Sequence, residues 1–455
     1  EGHKYLRNVL KGCMPYDTHD YQLEAIGHVL DGRDVLCITP TGSGKTDALI
    51  RLMHIALAFS KDENHPKTVI TIPKDPAMVV VCPTKALEED MAAKMIKAKL
   101  ETRIINSDTL GEARREGRDL LKEAQTGVSM ILVSPEQLKS KKFRHLLDSH
   151  HITQRILFMA VDEAHLLNSW GHHFRKDFLQ IGFCRKQLPA RVRVFAATAT
   201  LRPGQPTENV IGLLGFSEYH VIRRSNLRSD VQLLMRTMTS GLNGRAFTEL
   251  SWLVHSRRPA IVFCTTIALG FRVATWLRQQ VGQDHQRRKK IRMYNSLNWS
   301  KYNKQTMKML YKDPDGCILV ATRVLAQGID PPSIRDIVVL GEPDDCDDYL
   351  QMLGRVNRAG AFSDSRAVFY ITGGATQKAS AVMEGGEGER PVKRLRREGD
   401  DGGKMAVSVA KLIVAGCKVN SINAMYGNPT GEIPCQCESC MLRPVNTKVK
   451  CDCSG

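Results

Sequence analysis

The sequence predicts an α/β protein with two parallel β-sheets and a small helical segment after them. Three observations support this prediction: short apolar runs recur along the chain, helical stretches separate them, and one gap divides the runs into two sets. An unbroken apolar run of this length is typical of a strand buried on both faces of a parallel sheet, and alternation with helices favours α/β layering. The runs are Val35–Ile38, Met78–Cys82, Met130–Val133, Leu157–Val161, Val192–Ala196, Ala260–Cys264, Cys317–Ala321 and Ile337–Leu340.

The gap between the two sets of runs, near Val221–Thr237, indicates a boundary between two domains. We therefore expect a first α/β domain over residues 1–222 and a second over residues 223–375. Residues 376–403 are rich in glycine and mixed charge without apolar periodicity, which predicts a flexible charged linker. Residues 404–455 then form a small unit of their own.

The composition is that of a globular protein. The chain has 455 residues, enough for two or three domains with hydrophobic cores, and 42% of them are hydrophobic while 25% are charged. Lys plus Arg number 65 against 48 Asp plus Glu, a net charge of +17. This surplus favours a polyanionic partner, because each neutralised phosphate releases counterions. A basic but inert surface stays open as an alternative.

No membrane attachment is expected from the sequence. It contains no apolar run long enough to span a bilayer, and its first residues, Glu1–Lys4, are too polar for a signal peptide. A membrane surface is a weaker partner than nucleic acid, since no long amphipathic basic helix stands out. The first residue is not Met, so we expect the chain to be a fragment of a longer protein.

A glycine-rich turn links the first apolar run to a helical stretch. It reads Thr39, Pro40, Thr41, Gly42, Ser43, Gly44, Lys45 and Thr46. Glycines let the backbone wrap closely around phosphates, and the free N–H groups of the helix start point at them. In such a loop Lys45 reaches the β- and γ-phosphates and Thr46 ligates Mg²⁺. Thr39 stands where the general pattern has its first glycine, and a turn that binds nothing is the alternative.

An acidic pair follows the run Leu157–Val161, in the order Asp162, Glu163, Ala164, His165. Asp162 is expected to hold Mg²⁺ directly or through water, and Glu163 to orient and deprotonate the attacking water. Acidic pairs after strands are common. Together with a phosphate loop about a hundred residues upstream, however, the pair supplies what metal-assisted hydrolysis requires.

Two arginines three positions apart, Arg355 and Arg358, follow the second set of runs. They would lie on one side of a helix within the stretch Gln351–Gly360. Supplied from the second domain, they would neutralise charge that develops on a γ-phosphate. A surface helix with basic residues is the alternative.

These motifs, together with Ala197–Thr200, resemble those of a superfamily 2 helicase with a DEAH box. Closer features resemble the RecQ family of DNA helicases: Ser134–Leu138, the aromatic-rich stretch Ser169–Phe178 and the segment Ala321–Asp330. The resemblance implies two RecA-like domains, ATP and Mg²⁺ as cofactors, and 3′→5′ movement on DNA.

The resemblance also implies roles for single residues. Gln22 matches an adenine-reading glutamine, although the family's arginine three positions earlier is His19 here. Gly328 and Asp330 belong to a motif that faces both nucleotide and nucleic acid. Contacts to nucleic acid are implied for Pro83, Thr84, Pro135, Glu136, Trp170, His172, Phe174, Arg175 and Thr322.

The aromatic-rich stretch has two interpretations. Trp170, Phe174 and Phe178 at helical spacing are typical of a core, whereas the neighbouring histidines and arginine favour an exposed surface on which bases stack. His173 stands where the family usually has Asp.

The thirteen cysteines fall into two groups. Eight are scattered over the first 417 residues, several of them in apolar runs, which suits a reducing compartment. The last five crowd the C-terminus, and close thiol spacings in such a compartment indicate tetrahedral zinc. The resemblance implies a zinc subdomain with the ligands Cys417, Cys435, Cys437 and Cys440. Cys451 and Cys453 are further candidates, and unligated or oxidised cysteines are the alternative.

The sequence therefore predicts an ATP-dependent 3′→5′ DNA helicase that translocates on single-stranded DNA and unwinds duplexes. The alternative is a DNA-stimulated ATPase that translocates or remodels without unwinding, favoured by the short segment after the cysteines, which leaves no room for a winged-helix domain. A catalytically dead binding module is a further alternative. The basic cluster Pro391–Arg397 predicts either nuclear import or a phosphate-contacting arm, with a solvated linker as the alternative. A nuclear role in DNA repair and recombination is expected.

Overall fold

The computed structural model describes residues 2–62, 64–168, 178–322, 334–357, 362, 364–385, 405–431, 435 and 437. This part of the chain forms two compact units. The first contains most of the residues up to Arg224 together with Cys435 and Cys437, and the second contains Ser225–Asn428 together with the three residues Pro40–Gly42. Every helix in the described ranges is too short or too polar to cross a lipid bilayer.

A seven-stranded parallel sheet forms the centre of the first unit. Its strands are β1 (Asp34–Ile38), β2 (Ala77–Val81), β3 (Thr102–Ile105), β4 (Met130–Val133), β5 (Ile156–Val161), β6 (Arg193–Thr198) and β7 (Tyr219–Arg223). They lie in the order β3-β4-β2-β5-β6-β1-β7, and every pair is parallel. The helices are α1 (Gly2–Leu10), α2 (Asp20–Leu30), α3 (Lys45–Phe59), α4 (Lys85–Lys97), α5 (Ser107–Arg115), α6 (Leu120–Glu123), α7 (Pro135–Leu138), α8 (Lys141–Asp148), α9 (His150–Arg155), α10 (Leu179–Gln187) and α11 (Gln205–Leu214).

Both faces of this sheet are buried. Along β1, Val35 and Cys37 belong to one apolar cluster, while Leu36 and Ile38 belong to another, because successive side chains of a strand point to opposite faces. Burial raises the pKa of the Cys37 thiol to about 12, so it stays neutral and packs as a small apolar group. The burial of both faces of the sheet therefore explains why its strands appear in the sequence as uninterrupted apolar runs.

The second unit has a six-stranded parallel sheet. Its strands are β8 (Val231–Thr237), β9 (Ala260–Cys264), β10 (Ile291–Tyr294), β11 (Ile318–Thr322), β12 (Asp336–Leu340) and β13 (Ser365–Ile371), in the order β10-β11-β9-β12-β13-β8. Its helices are α12 (Ser251–Ser256), α13 (Ile267–Gln280), α14 (His285–Lys290), α15 (Ser300–Lys312), α16 (Cys346–Leu353), α17 (Ala375–Glu384), α18 (Val407–Val414) and α19 (Lys418–Tyr426). The prediction of two parallel-sheet domains is confirmed.

Two features differ from the sequence prediction. The gap near Val221–Thr237 contains β8 and the end of β7, each an edge strand. An edge strand tolerates side chains such as Arg223 and Arg236, which interrupt an apolar run. The start of the predicted linker 376–403 is also wrong: α17 is helical, since Ala375 and Ala379 are buried in the core of the second unit.

The helices of the predicted segment 404–455 lie in the second unit. In α18, Val409 and Leu412 are buried in the core that also contains β12 and β13, and Tyr426 of α19 joins them. The Tyr426 hydroxyl donates a hydrogen bond to the Asp347 carboxylate at the start of α16. Cys435 and Cys437 belong instead to the first unit. A separate zinc-binding subdomain over 404–455 stays a prediction.

Candidate functional site

Five of the predicted motifs lie at the same edge of the first sheet. Pro135 follows β4, Pro83 lies just after β2, Asp162 follows β5, Thr198 ends β6, and the turn from Thr39 follows β1. Because all these strands are parallel, their carboxyl ends meet at one edge, which is where open α/β sheets bind ligands. The order β4-β2-β5-β6-β1 places the two segments predicted to contact nucleic acid beside the acidic pair, and the phosphate loop on its other side.

The phosphate loop has the backbone geometry of an anion cradle. Gly42 and Gly44 adopt φ values of +79° and +92°, which glycine reaches without steric cost. Gly44 is the residue before α3, so the free N–H groups at the start of the helix begin at Lys45 and Thr46. Thr41 lies in the same turn and is partly buried. This geometry fits the phosphates of a nucleotide.

Hydrogen bonds within the first unit hold the loop in shape. The Lys45 ammonium donates to the Thr39 carbonyl at 3.1 Å, and the Thr39 and Ser43 hydroxyls lie 2.9 Å apart. Thr39 replaces the usual first glycine, and its side chain takes part in this network. These hydrogen bonds hold the loop in shape and keep the Lys45 amine beside it.

The start of α2 contacts the phosphate loop. Gln22 donates from Nε2 to the Gly44 carbonyl at 2.8 Å, and its Oε1 accepts from the His19 backbone N–H at 3.0 Å. Tyr21 donates from its hydroxyl to the Ser43 carbonyl at 2.7 Å. Gln22 is 1% exposed, so the predicted adenine-reading residue is part of the support beneath the loop.

The acidic pair lies where the sequence predicts. Asp162 N–H donates to the Val81 carbonyl at 3.0 Å and so extends the register between β5 and β2. Burial raises the pKa of the Asp162 carboxyl, the neighbouring Glu163 carboxylate raises it further, and the Lys45 ammonium lowers it. Two crowded carboxylates repel each other, and a divalent cation relieves that repulsion. With Thr46 as a hydroxyl ligand, these oxygen donors fit Mg²⁺.

His165 connects the acidic pair to the next strand. Its Nδ1 lies 2.9 Å from the Thr198 hydroxyl and 3.3 Å from Glu163 Oε2. Glu163 has φ of +51°, a left-handed conformation that costs a residue with a Cβ roughly 1–2 kcal/mol. Such strain at a ligand-facing edge is typical of a functional residue. The Thr198 hydroxyl also accepts from the Thr200 backbone N–H at 3.2 Å, which extends the connection to the end of the Ala197–Thr200 motif.

The two segments predicted to contact nucleic acid each lie at the start of a helix. Thr84 caps α4, and its hydroxyl accepts from the Leu87 N–H at 3.4 Å. Pro135 is the first residue of α7, and the Glu136 side chain beside it is exposed. One turn into α4, Glu88 is buried and accepts a hydrogen bond from the Asn106 side chain at 2.6 Å.

In the second unit, Arg355 follows α16 and its side chain is 5% exposed. The backbone just after it is held by a network that the sequence did not reveal. Arg228 donates to the Asn357 carbonyl at 2.6 Å and pairs with Asp230, while the Asn357 side-chain amide donates to Asp230 at 2.8 Å. Thr322 ends β11. The remaining predicted residues of this unit, Gly328, Asp330 and Arg358, lie outside the described residues.

The aromatic-rich stretch is described only at its end. Trp170, His172, Phe174 and Arg175 lie outside the described residues. Phe178 is 5% exposed and packs with Ile181 and Leu214 in one core of the first unit. For Phe178, core packing is therefore the correct interpretation.

Three potential metal ligands of the first unit lie close together. They are His19, Cys435 and Cys437, whose ligand atoms are all within 4.8 Å of one another. Cys417 is not a member of this group; it lies in the second unit, where its Sγ accepts from the Asn420 N–H and caps α19. Cys440 lies outside the described residues.

Two supporting residues had only a weak signal in the sequence. Arg51 is 1% exposed in helix α3, whose other buried residues are apolar. Its guanidinium donates to the Thr18 hydroxyl and the Tyr16 carbonyl, both at 2.9 Å, and so fixes the loop before α2. A charge between the apolar residues Ile50 and Leu52 is the signal that could have revealed it. For Tyr21, nothing in the sequence distinguishes a loop-supporting residue from a core residue.

Comparison with known families agrees with this arrangement. Residues 19–208 match the DEAD/DEAH box helicase family, and residues 245–360 match the helicase conserved C-terminal domain. The first match spans every motif at the edge of the first sheet, and the second spans the arginine motif. Fold, motifs and matches together define the chain as a superfamily 2 helicase of the DEAH-box type.

Individual relatives place it more closely. The chain is 22% identical to the ATP-dependent DNA helicase hus2/rqh1 of Schizosaccharomyces pombe over 85% of its own length and 28% of the relative. It is 24% identical to the probable ATP-dependent DNA helicase RecS of Bacillus subtilis (74% and 61%) and 24% identical to the ATP-dependent DNA helicase Q1 of Rattus norvegicus (74% and 50%). The chain is similar to these RecQ-type helicases and spans 28–61% of their length.

Solved structures share the fold at low identity. The helicase MrfA, bound to DNA and AMPPNP, matches with a TM-score of 0.63 at 17% identity, over 84% of this chain and 52% of that one. The DEAD-box helicase Mss116, bound to single-stranded RNA and UDP-BeF, matches with a TM-score of 0.60 at 17% identity, over 86% and 78%. Because one neighbour holds DNA and the other RNA, the fold alone leaves the nucleic acid undecided.

Proposed function

We propose that this chain is the motor core of an ATP-dependent DNA helicase that translocates 3′→5′ on single-stranded DNA and unwinds duplexes. The observation that carries the proposal is the edge of the first sheet, where a phosphate loop, an acidic pair and two nucleic-acid segments follow adjacent parallel strands. The names of the RecQ-like relatives support DNA as the polymer, and the net charge of +17 supports a polyanionic partner.

ATP is the substrate that the first unit fits. The N–H groups after Gly44 and the Lys45 amine hold its phosphates. Thr46 and Asp162 are the residues that would hold Mg²⁺, which when bound screens phosphate charge. Glu163 orients a water molecule and accepts its proton.

His165 connects the nucleotide site to strand β6. Loss or movement of charge at Glu163 changes the hydrogen bond that His165 shares with Thr198, and the end of β6 shifts with it. This contact is a short path by which hydrolysis alters the surface at the strand ends. The roles of Arg355 and Arg358 in stabilising the transition state, and of Trp170–Phe178 in base stacking, stay predictions of the sequence.

Strand-displacement assays test the proposal. Duplexes with a 3′ or a 5′ single-stranded tail are incubated with ATP, and Lys45→Ala serves as the matched control. We expect unwinding of the 3′-tailed duplex only, and none by Lys45→Ala. ATP hydrolysis stimulated by single strands without unwinding would instead support a translocase or remodeller, and preference for the 5′ tail would contradict the proposed direction.

We also propose a nuclear location, which the basic cluster Pro391–Arg397 supports. The cluster lies outside the described residues. A fluorescent fusion with Lys393 and Arg394 replaced by Ala should leave the nucleus, and unchanged nuclear accumulation would refute the role of this cluster.

A further inference from the structure

A histidine and two cysteines from distant parts of the sequence meet in the first unit. His19 Nδ1 lies 3.2 Å from Cys437 Sγ and 3.7 Å from Cys435 Sγ. The histidine is the residue before α2, and the cysteines lie more than 400 positions later in the sequence.

The distances fit a shared zinc ion. Zinc binds His nitrogen at about 2.0–2.1 Å and Cys sulfur at about 2.3 Å in a tetrahedron. Those lengths place a nitrogen and a sulfur ligand of one zinc about 3.5 Å apart, between the two separations in the structure. Imidazole and thiolate are also the donors that zinc prefers. The three residues therefore supply three of four tetrahedral positions.

The loop that carries His19 is fixed from two sides. Arg7 of α1 donates to the Asp17 carboxylate and the Thr18 carbonyl, both at 2.7 Å. From α3, Arg51 donates to the Thr18 hydroxyl at 2.9 Å. The imidazole is thus presented by a rigid segment, as a metal site with high affinity requires.

A backbone N–H contacts one of the two sulfurs. The Asp20 N–H, in the first turn of α2, donates to Cys435 Sγ at 3.3 Å. Hydrogen bonds to ligating atoms are a regular feature of metal sites, so this contact fits a ligand role for Cys435.

We propose that His19, Cys435 and Cys437 bind one zinc ion, with the His19 imidazole as its nitrogen ligand. In the family pattern this position before the adenine-reading glutamine is an arginine. Here it is a ligand that attaches the C-terminal cysteine segment to the start of α2.

The zinc also connects that segment to the phosphate loop. The His19 N–H donates to Gln22 Oε1, and Gln22 Nε2 donates to the Gly44 carbonyl. The position of the metal therefore fixes the amide that supports the loop. This second part rests on the proposed function, because it assumes that the loop binds nucleotide; the ligand assignment does not.

X-ray absorption at the zinc edge of the full chain tests the ligand assignment without any substitution. We expect about one zinc per chain, with nitrogen scattering at about 2.0–2.1 Å beside sulfur at about 2.3 Å. A shell of sulfur alone, or a folded chain that contains no zinc, would overturn the proposal.

Variants identify the nitrogen ligand. His19→Ala should lose most of the bound zinc, whereas His19→Cys should retain it with a shell of sulfur alone. His220→Asn is the matched control, because His220 belongs to a second group of potential ligands with Glu24 and His28. Full zinc content in His19→Ala would refute the assignment.

Binding of a fluorescent ADP analogue tests the connection to the loop. His19→Ala should weaken its binding by about threefold to tenfold, the effect of one misplaced hydrogen bond, while His19→Cys restores it. Zinc loss with unchanged nucleotide affinity would refute the connection and leave the ligand assignment intact. Absence of nucleotide binding by the unmodified chain would instead contradict the proposed function.

Discussion

The buried carboxyl of Glu88 predicts that the stability of the first unit depends on pH, and its pKa shift sets the magnitude of this effect. Glu88 lies on α4, in the helix that begins at the predicted nucleic-acid segment Pro83–Thr84, and it is 0% exposed. Burial raises its pKa to about 7, the Asn106 amide lowers it, and the Glu136 carboxylate raises it. The ordinary value is 4.5.

This difference makes the stability of the first unit depend on pH. Below pH 4.5 the group is neutral in both the folded and the unfolded chain and has no effect. Between pH 4.5 and pH 7 the unfolded chain releases the proton first, so stability falls as pH rises, and above pH 7 the loss is constant. At 1.36 kcal/mol per pKa unit, the ionised carboxyl costs about 3 kcal/mol.

Glu88→Gln removes the titrating group and retains an oxygen that accepts from Asn106. Scanning calorimetry of the full chain between pH 4 and pH 8 should show almost no difference at the acid end. At pH 8 the variant should melt roughly 5–10 °C higher. The exposed neighbour Glu89→Gln is the control and should follow the unmodified chain. Parallel pH profiles for Glu88→Gln and the unmodified chain would refute the reasoning.

Three further predictions concern the site. Gly44→Ala places a Cβ 2.8 Å from Gln22 Nε2 at a residue with φ of +92°. Binding of a fluorescent ATP analogue should therefore weaken by about tenfold or more. The control Gly27→Ala has open space around its new Cβ and should bind the analogue normally. His165→Ala should keep ATP affinity but reduce DNA-stimulated turnover by about tenfold, the loss of one buried hydrogen bond; turnover that still rises fully with DNA would exclude the proposed connection to Thr198. Affinity for single-stranded DNA should fall by about two orders of magnitude between 50 and 200 mM salt if six or more phosphates are contacted, and a flat dependence in an anisotropy titration would argue against backbone contacts.

Much of the fold follows from local patterns. Strands such as β1 and β9 read as apolar runs because both faces of each sheet are covered. The edge strands β3 and β10 carry Arg103 and Arg292, whose side chains are partly exposed, so their runs are broken and the sequence did not predict them. The helix α17 was missed because its buried residues are alanines, which leave no strong apolar period.

The candidate site was predicted wherever a motif occupies consecutive positions. Lys45, Asp162 and Glu163 follow strands, and a parallel sheet necessarily brings such positions to one edge. The contact of His19 with Cys437 joins residues 418 positions apart, and a pattern of neighbouring residues cannot predict a contact over that separation. The sequence therefore contained no sign of His19 as a ligand, and Cys417 stays a ligand that only the family resemblance implies.

We propose that this chain is a nucleic-acid-driven ATPase whose attacking water is activated by Glu163. The most direct test of this claim is steady-state ATP hydrolysis, with and without single-stranded DNA, by the unmodified chain and by Glu163→Gln, together with ATP-analogue binding by both. We expect DNA to stimulate hydrolysis by the unmodified chain, and Glu163→Gln to bind the analogue normally but hydrolyse ATP at least about a hundredfold more slowly, as removal of a general base predicts. Hydrolysis by Glu163→Gln at the unmodified rate, or an unmodified chain whose hydrolysis ignores DNA, would contradict the claim.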